Sequence, residues 1–260
     1  MCETPRARRA AKTLFCCFIG FIFLVFPLQA ALEVNVDFGG AFPGSAGTRA
    51  PAVGGTPFSI SGDFHADFSP FVRFQADWAV ARKHSFSGTA APLRIHSIGA
   101  APGPLIFTNT PGTHTPAFAP GEPVTINYRM DTYRLGYQYT LIDVPEFRLK
   151  IGLSARFRSG AIKLRGIRNE AECPNSDIFP SLHYSMDFFT GSGWTLLLDG
   201  DSLIFKDGYG HDLFAGIRHD LIGRYFLRWG WRMMLEKKDT GELYAKAWIN
   251  LVTLGVGIRL

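Results

Sequence analysis

The sequence predicts an all-β protein folded as a single closed antiparallel transmembrane β-barrel of about ten strands, with eight strands as the alternative. Apolar and polar residues alternate with period two in segment after segment, and turn signals separate the segments. Short turns alternate with longer loops, as in barrels that cross an outer membrane. The last seven residues, 254–260, alternate Leu, Val and Ile with Gly and Arg. Soluble chain ends usually fray, whereas a barrel in lipid must pair its last strand with its first.

Residues 1–30 have the pattern of a secretory signal peptide. Four basic residues between Arg6 and Lys12 precede an apolar run from Thr13 to Leu28, and small residues follow at Ala30 and Ala31. The apolar run is about 15 residues long, whereas a spanning helix needs about 20. We therefore expect a signal peptide at 1–30 and a barrel domain at 31–260, with an uncleaved N-terminal anchor as the alternative.

Composition excludes several classes of protein. Without residues 1–30 the formal net charge falls from +5 to +2, so the basic character belongs to the targeting segment and does not indicate nucleic-acid binding. Of the four cysteines, Cys173 alone lies outside that segment. The barrel domain therefore has neither an intrachain disulfide nor a cysteine metal site. We predict no metal and no cofactor.

The alternation places ten strands at residues 32–38, 64–78, 86–98, 124–139, 147–158, 181–188, 194–203, 212–220, 224–233 and 243–260. Ala91-Pro92 predicts a β-bulge in the third strand. The apolar parity changes between Met130 and Tyr133, which predicts a β-bulge near Asp131-Thr132. Segments 43–62 and 99–121, rich in Gly, Pro and Thr, predict loops, whereas 82–84, 141–146, 190–193 and 221–223 predict short periplasmic turns.

A soluble β-sandwich also alternates, but it puts charge outside and a dry core inside. Here a soluble barrel would have to expose Trp229 and Trp231 to water or bury Arg228 and Arg232, so we favour the membrane barrel. On that reading Trp and Tyr side chains, among them Trp78, Trp194 and Tyr137, face the bilayer and form interfacial girdles.

The polar face of the strands predicts a charged lumen. Its members are Arg148, Lys150, Arg156, Arg158, Arg224, Arg228, Arg232, Asp187, Asp199 and Asp201. One interpretation is an anion-selective path. The other is a salt-bridged plug, because a barrel near eight strands has room inside only for side chains or one small ligand. Buried charges must pair, and near-balanced charge favours the plug.

Two patterns suggest hydrolytic chemistry. His183, Ser185 and Asp187 alternate on one strand and face the lumen, and a base, a nucleophile and an acid on one wall are the ingredients of hydrolysis. Alternate residues on a strand stand about 6.6–7 Å apart, too far for direct hydrogen bonds, so an ordinary polar wall is favoured. Gly200-Asp201-Ser202-Leu203 spells the GDSL hydrolase motif, but no helix follows Ser202 and no late Asp-x-x-His occurs, which favours a chance match.

The segment Tyr128 to Tyr139, together with Ala91 to Arg94 and Trp194 to Asp199, resembles a family of small bacterial outer-membrane β-barrel proteins. The resemblance covers about residues 60–260 and is more distant to the outer membrane protein W family, which has eight strands and is associated with passage of small hydrophobic molecules. It implies fold and location, and it carries no catalytic residues onto this sequence. Leu260 stands where that class of strand usually ends in an aromatic residue.

We therefore expect a monomeric, non-enzymatic protein of the bacterial outer membrane, working as a narrow or plugged pore or as a surface scaffold. Its expected partners are outer-membrane lipid and the barrel-insertion machinery, with a small solute as a further candidate and no nucleic acid. The alternatives are a surface adhesin and a barrel enzyme acting on lipid, similar to lipid A deacylases, whose sites have a His-x-Ser pattern that faces lipid.

Overall fold

The computed structural model describes residues 31–108 and 118–260 as one closed antiparallel barrel. The predicted fold class and the count of ten wall strands are confirmed. The predicted signal peptide, residues 1–30, lies outside the described residues, as does the part of the long loop at 109–117. In the part of the chain that the structure describes, no helix has the length and hydropathy needed to cross a bilayer.

The wall contains two interrupted strands, β5–β6 and β9–β10, and eight continuous ones. The elements are β1 (Ala31–Arg49), β2 (Phe58–Ser59), β3 (His65–Ala66), β4 (Ser69–Ala81), β5 (His84–Ala91), β6 (Arg94–Ala100), β7 (Pro123–Val144), β8 (Phe147–Arg165), β9 (Glu170–Pro174), β10 (Asp177–Phe189), β11 (Trp194–Phe205), β12 (Gly208–Asp220), β13 (Tyr225–Asp239) and β14 (Tyr244–Arg259). The short β2 pairs with β1, and β3 pairs with β6. The bulge predicted at Ala91-Pro92 is wrong. Pro92 and Leu93 interrupt the strand between β5 and β6, but the register against β7 does not shift, from Ala91 opposite Thr132 to Arg94 opposite Arg129.

The barrel closes where β1 pairs with β14, from Glu33 opposite Arg259 to Arg49 opposite Tyr244. The pairing extends to Leu260, whose backbone N–H donates a hydrogen bond to the carbonyl oxygen of Leu32 at 2.8 Å. We call the end that holds Ala31, Leu260 and the short turns the turn end, and the opposite end the loop end. Successive wall strands run in opposite directions between these two ends, as antiparallel pairing requires, and the two long connections, 50–68 and 101–122, lie at the loop end.

Halfway along strand β7, going toward the loop end, the inward row changes from polar to apolar and the outward row changes from apolar to polar. The predicted bulge at Asp131-Thr132 is therefore wrong. The pairing of β7 with β8 is regular from Thr125 to Thr140, so no residue is inserted there. Even-numbered residues face inward throughout. Toward the turn end the inward row is polar and the outward row holds Tyr133 and Tyr137; toward the loop end the inward row is apolar and buried, from Met130 to Val124. The change of apolar parity therefore marks the level where the outer surface stops being apolar.

Other strands repeat this exchange and enclose a dry interior that we call the loop-end core. On β8 the inward row passes from Arg156 and Arg158 to Ile162 and Leu164, and outward Lys163 replaces outward Phe157. Phe64 is 3% exposed and belongs to this core. The core's members include Phe58, Ile60, Phe64, Phe71, Leu93, Ile95, Leu105, Phe107, Phe118, Ile126, Tyr128, Met130, Ile162, Leu164, Ile249 and Leu251.

The predicted loop at 43–62 is partly wrong, because β1 continues to Arg49. Its pairing with β14 shifts between Pro43 and Ser45, which accommodates a proline that lacks a backbone N–H. Glycine and proline in this stretch therefore mark a bulge and close strand packing within a strand, whereas we read them as a loop.

Candidate functional site

A network of buried charges fills the lumen on the turn side of the loop-end core. Its centre is Asp212 on β12, which lies 2.5 Å from Arg232 and 3.8 Å from both Arg73 and Arg156. The side chains of the three arginines are at most 3% exposed. Three guanidinium groups around one carboxylate would repel one another, so further acids must balance them.

Asp201 on β11 is the second centre of the network. Its carboxylate accepts hydrogen bonds from Arg134 on β7 and from Ser154 Oγ, the latter at 2.8 Å. His183 Nδ1 lies 3.2 Å from Asp201 and 3.1 Å from the carbonyl oxygen of Gly200. Arg134 also donates to Thr89 at 3.3 Å. This cluster joins β5, β7, β8, β10 and β11 across the lumen.

Glu236 on β13 closes the network on the side of the loop-end core. It accepts a hydrogen bond from Arg156 at 3.1 Å and forms an ion pair with Arg158. The ring of Phe179 lies 5.8 Å from the Arg156 guanidinium and 5.6 Å from that of Arg158. Aromatic faces attract cations, so Phe179 provides a transition from the charged layer to the apolar one.

Phe214 and the pair Asp37–Arg228 close the network on the side of the turn end. The Arg228 guanidinium lies 4.4 Å from the Phe214 ring centroid and its Nε lies 3.3 Å from Asp37 Oδ1. Asp37 is on the first strand and Arg228 on the ninth wall strand, so their contact passes over Gly255 of the last strand. A Cβ at Gly255 would lie 2.1 Å from Asp37 Oδ1, so only glycine leaves room for the pair.

Beyond this layer a polar cavity of about 270 Å³ faces the turn end. Lys150 and Asp187 line it, and neither forms a salt bridge within the described residues. Arg259 lines its rim, where it donates to Asp220 at 2.8 Å and to Glu33 at 3.2 Å. The remaining polar members of its wall include Gln75, Asp77, Ser85, Gln138, Arg148, Ser185, Asp199, Arg218 and Arg228.

The structure places the ten predicted lumen residues in three locations. Arg224 was predicted to face inward, but it lies exposed in the turn before β13, because that strand begins only at Tyr225. Arg148, Lys150 and Asp187 line the turn-end cavity, and Arg148 pairs with Asp143 at 2.9 Å near its rim. The members found in the charge network are Arg156, Arg158, Arg228, Arg232, Asp199 and Asp201.

The predicted set lacked several central members of the network. Arg73 and Asp37 belong to the network through partners on distant strands, which only the structure reveals. Arg134, Asp212 and Glu236 were not identified at all, although extending the strict alternation of β7, β12 and β13 would have placed them inside. The alternation of inward and outward residues could have identified these three residues as lumen-facing. The sequence does not show which of them pair across the lumen.

The three candidate catalytic residues on β10 lie in three different environments. His183 is buried within the Asp201 cluster, and Ser185 accepts a hydrogen bond from Gln138 at 3.4 Å. Asp187 lines the turn-end cavity. Across the described ranges, no hydrogen bond or ion pair joins any two of the three. Nor do residues 31–108 and 118–260 place three His, Cys, Asp or Glu side chains together as a metal site.

Comparison with known proteins identifies the fold. No protein-family model and no curated protein matches the sequence. Among solved structures, the outer membrane protease OmpT from Escherichia coli is similar with a TM-score of 0.52 at 10% identity, covering 90% of this chain and 98% of that one. Ail of Yersinia pestis (TM-score 0.35, 11% identity, 88% and 99% covered) and OprG from Pseudomonas aeruginosa (0.33, 10%, 88% and 96%) are also similar. The likeness to OmpT shows an outer-membrane type of β-barrel fold.

Proposed function

We propose that this chain is an integral outer-membrane protein whose lumen is sealed, and that it serves as a scaffold presenting its loop end outside the cell. The turn end then faces the periplasm, as short turns do in this class of barrel. The proposal makes the barrel interior structural and non-catalytic. The observation that carries it is the filling of the lumen by two successive layers, one ionic and one apolar.

The ionic layer supports a plug because its charges are committed to one another. Asp212, Asp201 and Glu236 each contact at least one arginine, and every one of them is at most 5% exposed. Breaking such a pair leaves an unpaired charge in a dry site, at a cost of about 3–5 kcal/mol. An ion crossing this layer would have to disrupt such pairs, and the free energy required opposes conduction.

The loop-end core supports the plug independently. Phe107, Phe118, Ile126 and Leu164 are at most 1% exposed in the space where an open pore would have water. Apolar constrictions block ions because the ions would have to lose their hydration there. A solute that entered from the periplasm would therefore stop at the turn-end cavity.

Strand length supports the scaffold role. Strand β7 has 22 residues and β8 has 19, whereas about 9–11 residues cross a bilayer. The additional residues carry the polar outer face and the loop-end core, so they form a folded head beyond the apolar band. Such a head suits display or adhesion at the cell surface, which keeps the adhesin alternative within the same proposal.

The turn-end cavity favours a small polar solute as a secondary ligand. Lys150 and Asp187 present opposite charges to one enclosed space and lack ion-pair partners among the described residues. A small zwitterion would satisfy both charges at once. In this proposal the solute is held, and it is not passed across the membrane. Lipid and the insertion machinery remain the expected partners of the wall.

Cysteine labelling tests the sealing and the orientation together. In a Cys173→Ala background we expect Ser185→Cys in the cavity to react with a membrane-impermeant maleimide from the periplasmic side only. The matched control is Thr132→Cys in the charged layer, where the threonine is 4% exposed, and it is expected to react from neither side. Labelling of Ser185→Cys from the cell exterior would overturn the sealed lumen.

A further inference from the structure

The outer wall carries a serine and a histidine in direct contact, away from the lumen and its charges. Ser202 on β11 stands opposite His211 on β12 in the strand pairing, and Ser202 Oγ lies 3.1 Å from His211 Nδ1. Their neighbours Asp201 and Asp212 are buried in the charge network. Because side chains alternate across a strand, Ser202 and His211 face outward.

A second hydroxyl group belongs to the same cluster. Tyr184 OH on β10 lies 3.5 Å from Ser202 Oγ. Its ring covers Gly200, where a Cβ would lie 2.6 Å from the ring, so the missing side chain lets the tyrosine lie flat against the wall. The ring of Tyr209 lies 5.8 Å from that of His211 on the side of the loop end. Aromatic rings thus hold both ends of the serine–histidine pair.

The cluster lies at the outer edge of the apolar band. Ser202 is the ninth residue of β11 counted from Trp194, and about 9–11 residues cross a bilayer. The flanking residues in the same row are apolar: Leu182 pairs with Ser202, and Leu235 pairs with His211. One step further toward the loop end, Tyr209 pairs with Lys237, whose charge suits the headgroup level.

Polar side chains on a surface facing lipid are costly and usually mark function. Here the two groups have the chemistry of acyl transfer, a hydroxyl nucleophile within hydrogen-bond distance of an imidazole base. We propose that Ser202 and His211 form a hydrolytic site for ester-linked acyl chains of outer-leaflet lipid, with Tyr184 as the donor to the developing oxyanion. This site goes beyond the structural role proposed for the lumen and shares no residue with it.

The reaction balances with water as co-reactant. Ser202 Oγ attacks the ester carbonyl carbon while its proton moves to His211 Nδ1, and Tyr184 OH donates to the oxygen that gains charge. The carbon–oxygen bond then breaks, His211 returns the proton to the departing lipid hydroxyl, and the acyl group stays on Ser202. Water, deprotonated by His211, releases the fatty acid and restores Ser202. The GDSL match at Gly200 to Leu203 thus marks a serine on a barrel wall, without the α/β fold of that family.

The test uses the purified full-length barrel in vesicles of phosphatidylethanolamine and phosphatidylglycerol, and separately in vesicles containing lipid A. Released fatty acid in one arm identifies whether glycerophospholipid or acylated saccharolipid is the substrate. A fluorophosphonate probe reports the nucleophile, and mass spectrometry locates the labelled residue. The proposal expects release in at least one arm and a label on Ser202.

Variants assign the roles. Ser202→Ala is expected to abolish label and release, and His211→Asn to lower the rate by about 10²–10⁴-fold, the usual contribution of a general base. Tyr184→Phe should lower kcat by about 10²-fold with KM unchanged, as loss of one oxyanion donor does. Ser192→Ala in a turn is the matched control and should behave as wild type. Heat-modifiable gel mobility verifies that each variant is folded.

Absence of both label and fatty-acid release from the folded wild-type protein in every vesicle would overturn the proposal. Release that survives in Ser202→Ala would overturn the assignment of the nucleophile. Neither result would affect the sealed lumen, which the cysteine labelling tests separately.

Discussion

Replacing Asp37 by leucine is expected to destabilise the barrel at the seam where its first and last strands meet. Asp37 is 1% exposed, and its partner Arg228 is left without a salt bridge among the described residues when the carboxylate is removed. An uncompensated buried charge costs about 3–5 kcal/mol, which raises the unfolding constant by about two to four orders of magnitude. Arg228→Leu should cost a similar amount, since it leaves the carboxylate unpaired.

The double variant Asp37→Leu/Arg228→Leu separates pairing from packing. With both charges gone, the cost of an unpaired charge disappears, so its stability should return to within about 1 kcal/mol of wild type. Urea titration in detergent micelles, followed by tryptophan emission, measures all three variants. Arg148→Leu is the matched control, because its pair with Asp143 is more than a third exposed and should be worth at most about 1 kcal/mol.

A loss of less than about 1 kcal/mol of stability in each single variant would refute a dry, buried ion pair, and so would a double variant whose loss equals the sum of the two. Either outcome would mean that solvent or a rearranged partner neutralises the remaining charge. The Asp37–Arg228 pair would then be hydrated, contrary to the burial of Asp37 in the structure.

The remaining predictions concern the seam, the head and its loops. Gly255→Ala should destabilise the fold, because its Cβ would lie 2.1 Å from Asp37 Oδ1, whereas Gly88→Ala, whose Cβ meets nothing closer than 3.9 Å, should be neutral in the same urea titration. Phe107→Ala, 0% exposed, should cost about 3–5 kcal/mol and make the loop end sensitive to protease without changing heat-modifiable mobility. Glu122 accepts hydrogen bonds from the Ala119 and Ile167 N–H groups, both at 2.9 Å, and these lower the pKa of its carboxyl below the ordinary 4.5. Its contribution to loop order is therefore present above 4.5 and lost as pH falls through the lowered pKa; hydrogen exchange of the Ile167 amide should follow that loss, and Glu122→Gln should abolish the pH dependence.

Alternation was sufficient to predict the barrel because most of each wall strand alternates between an inward and an outward row of side chains. The strand at 147–158 shows this best: Arg156 and Arg158 face inward as predicted, and the alternate residues Leu153 and Phe157 face outward. Periodicity of two survives any depth in the membrane, so it predicts facing well. It does not show at which level of the barrel a residue lies. For that reason the change of apolar parity at Asp131-Thr132 was interpreted as a bulge, whereas it marks the level where the outer surface of β7 stops being apolar.

The site was less predictable, because ion pairs across a lumen join residues that are far apart in the chain. Asp37 lies on the first wall strand and Arg228 on the ninth, so they are far apart in the sequence, and the residues around either one do not identify its partner. Ser202 and His211 are close in sequence, but their contact depends on the register of a hairpin that alternation does not specify. The alternation along a strand predicts whether a residue faces the lumen or the outside. The register between strands determines which residues it contacts.

Single-channel recording in planar bilayers tests the sealed lumen most directly. Wild-type protein that shows heat-modifiable mobility is expected to give no conductance steps, since both the ionic layer around Asp212 and the apolar layer around Phe107 block the path. Phe107→Ala should remain silent, because the ionic layer stays in place. Reproducible conductance steps from the folded wild-type barrel would contradict the account.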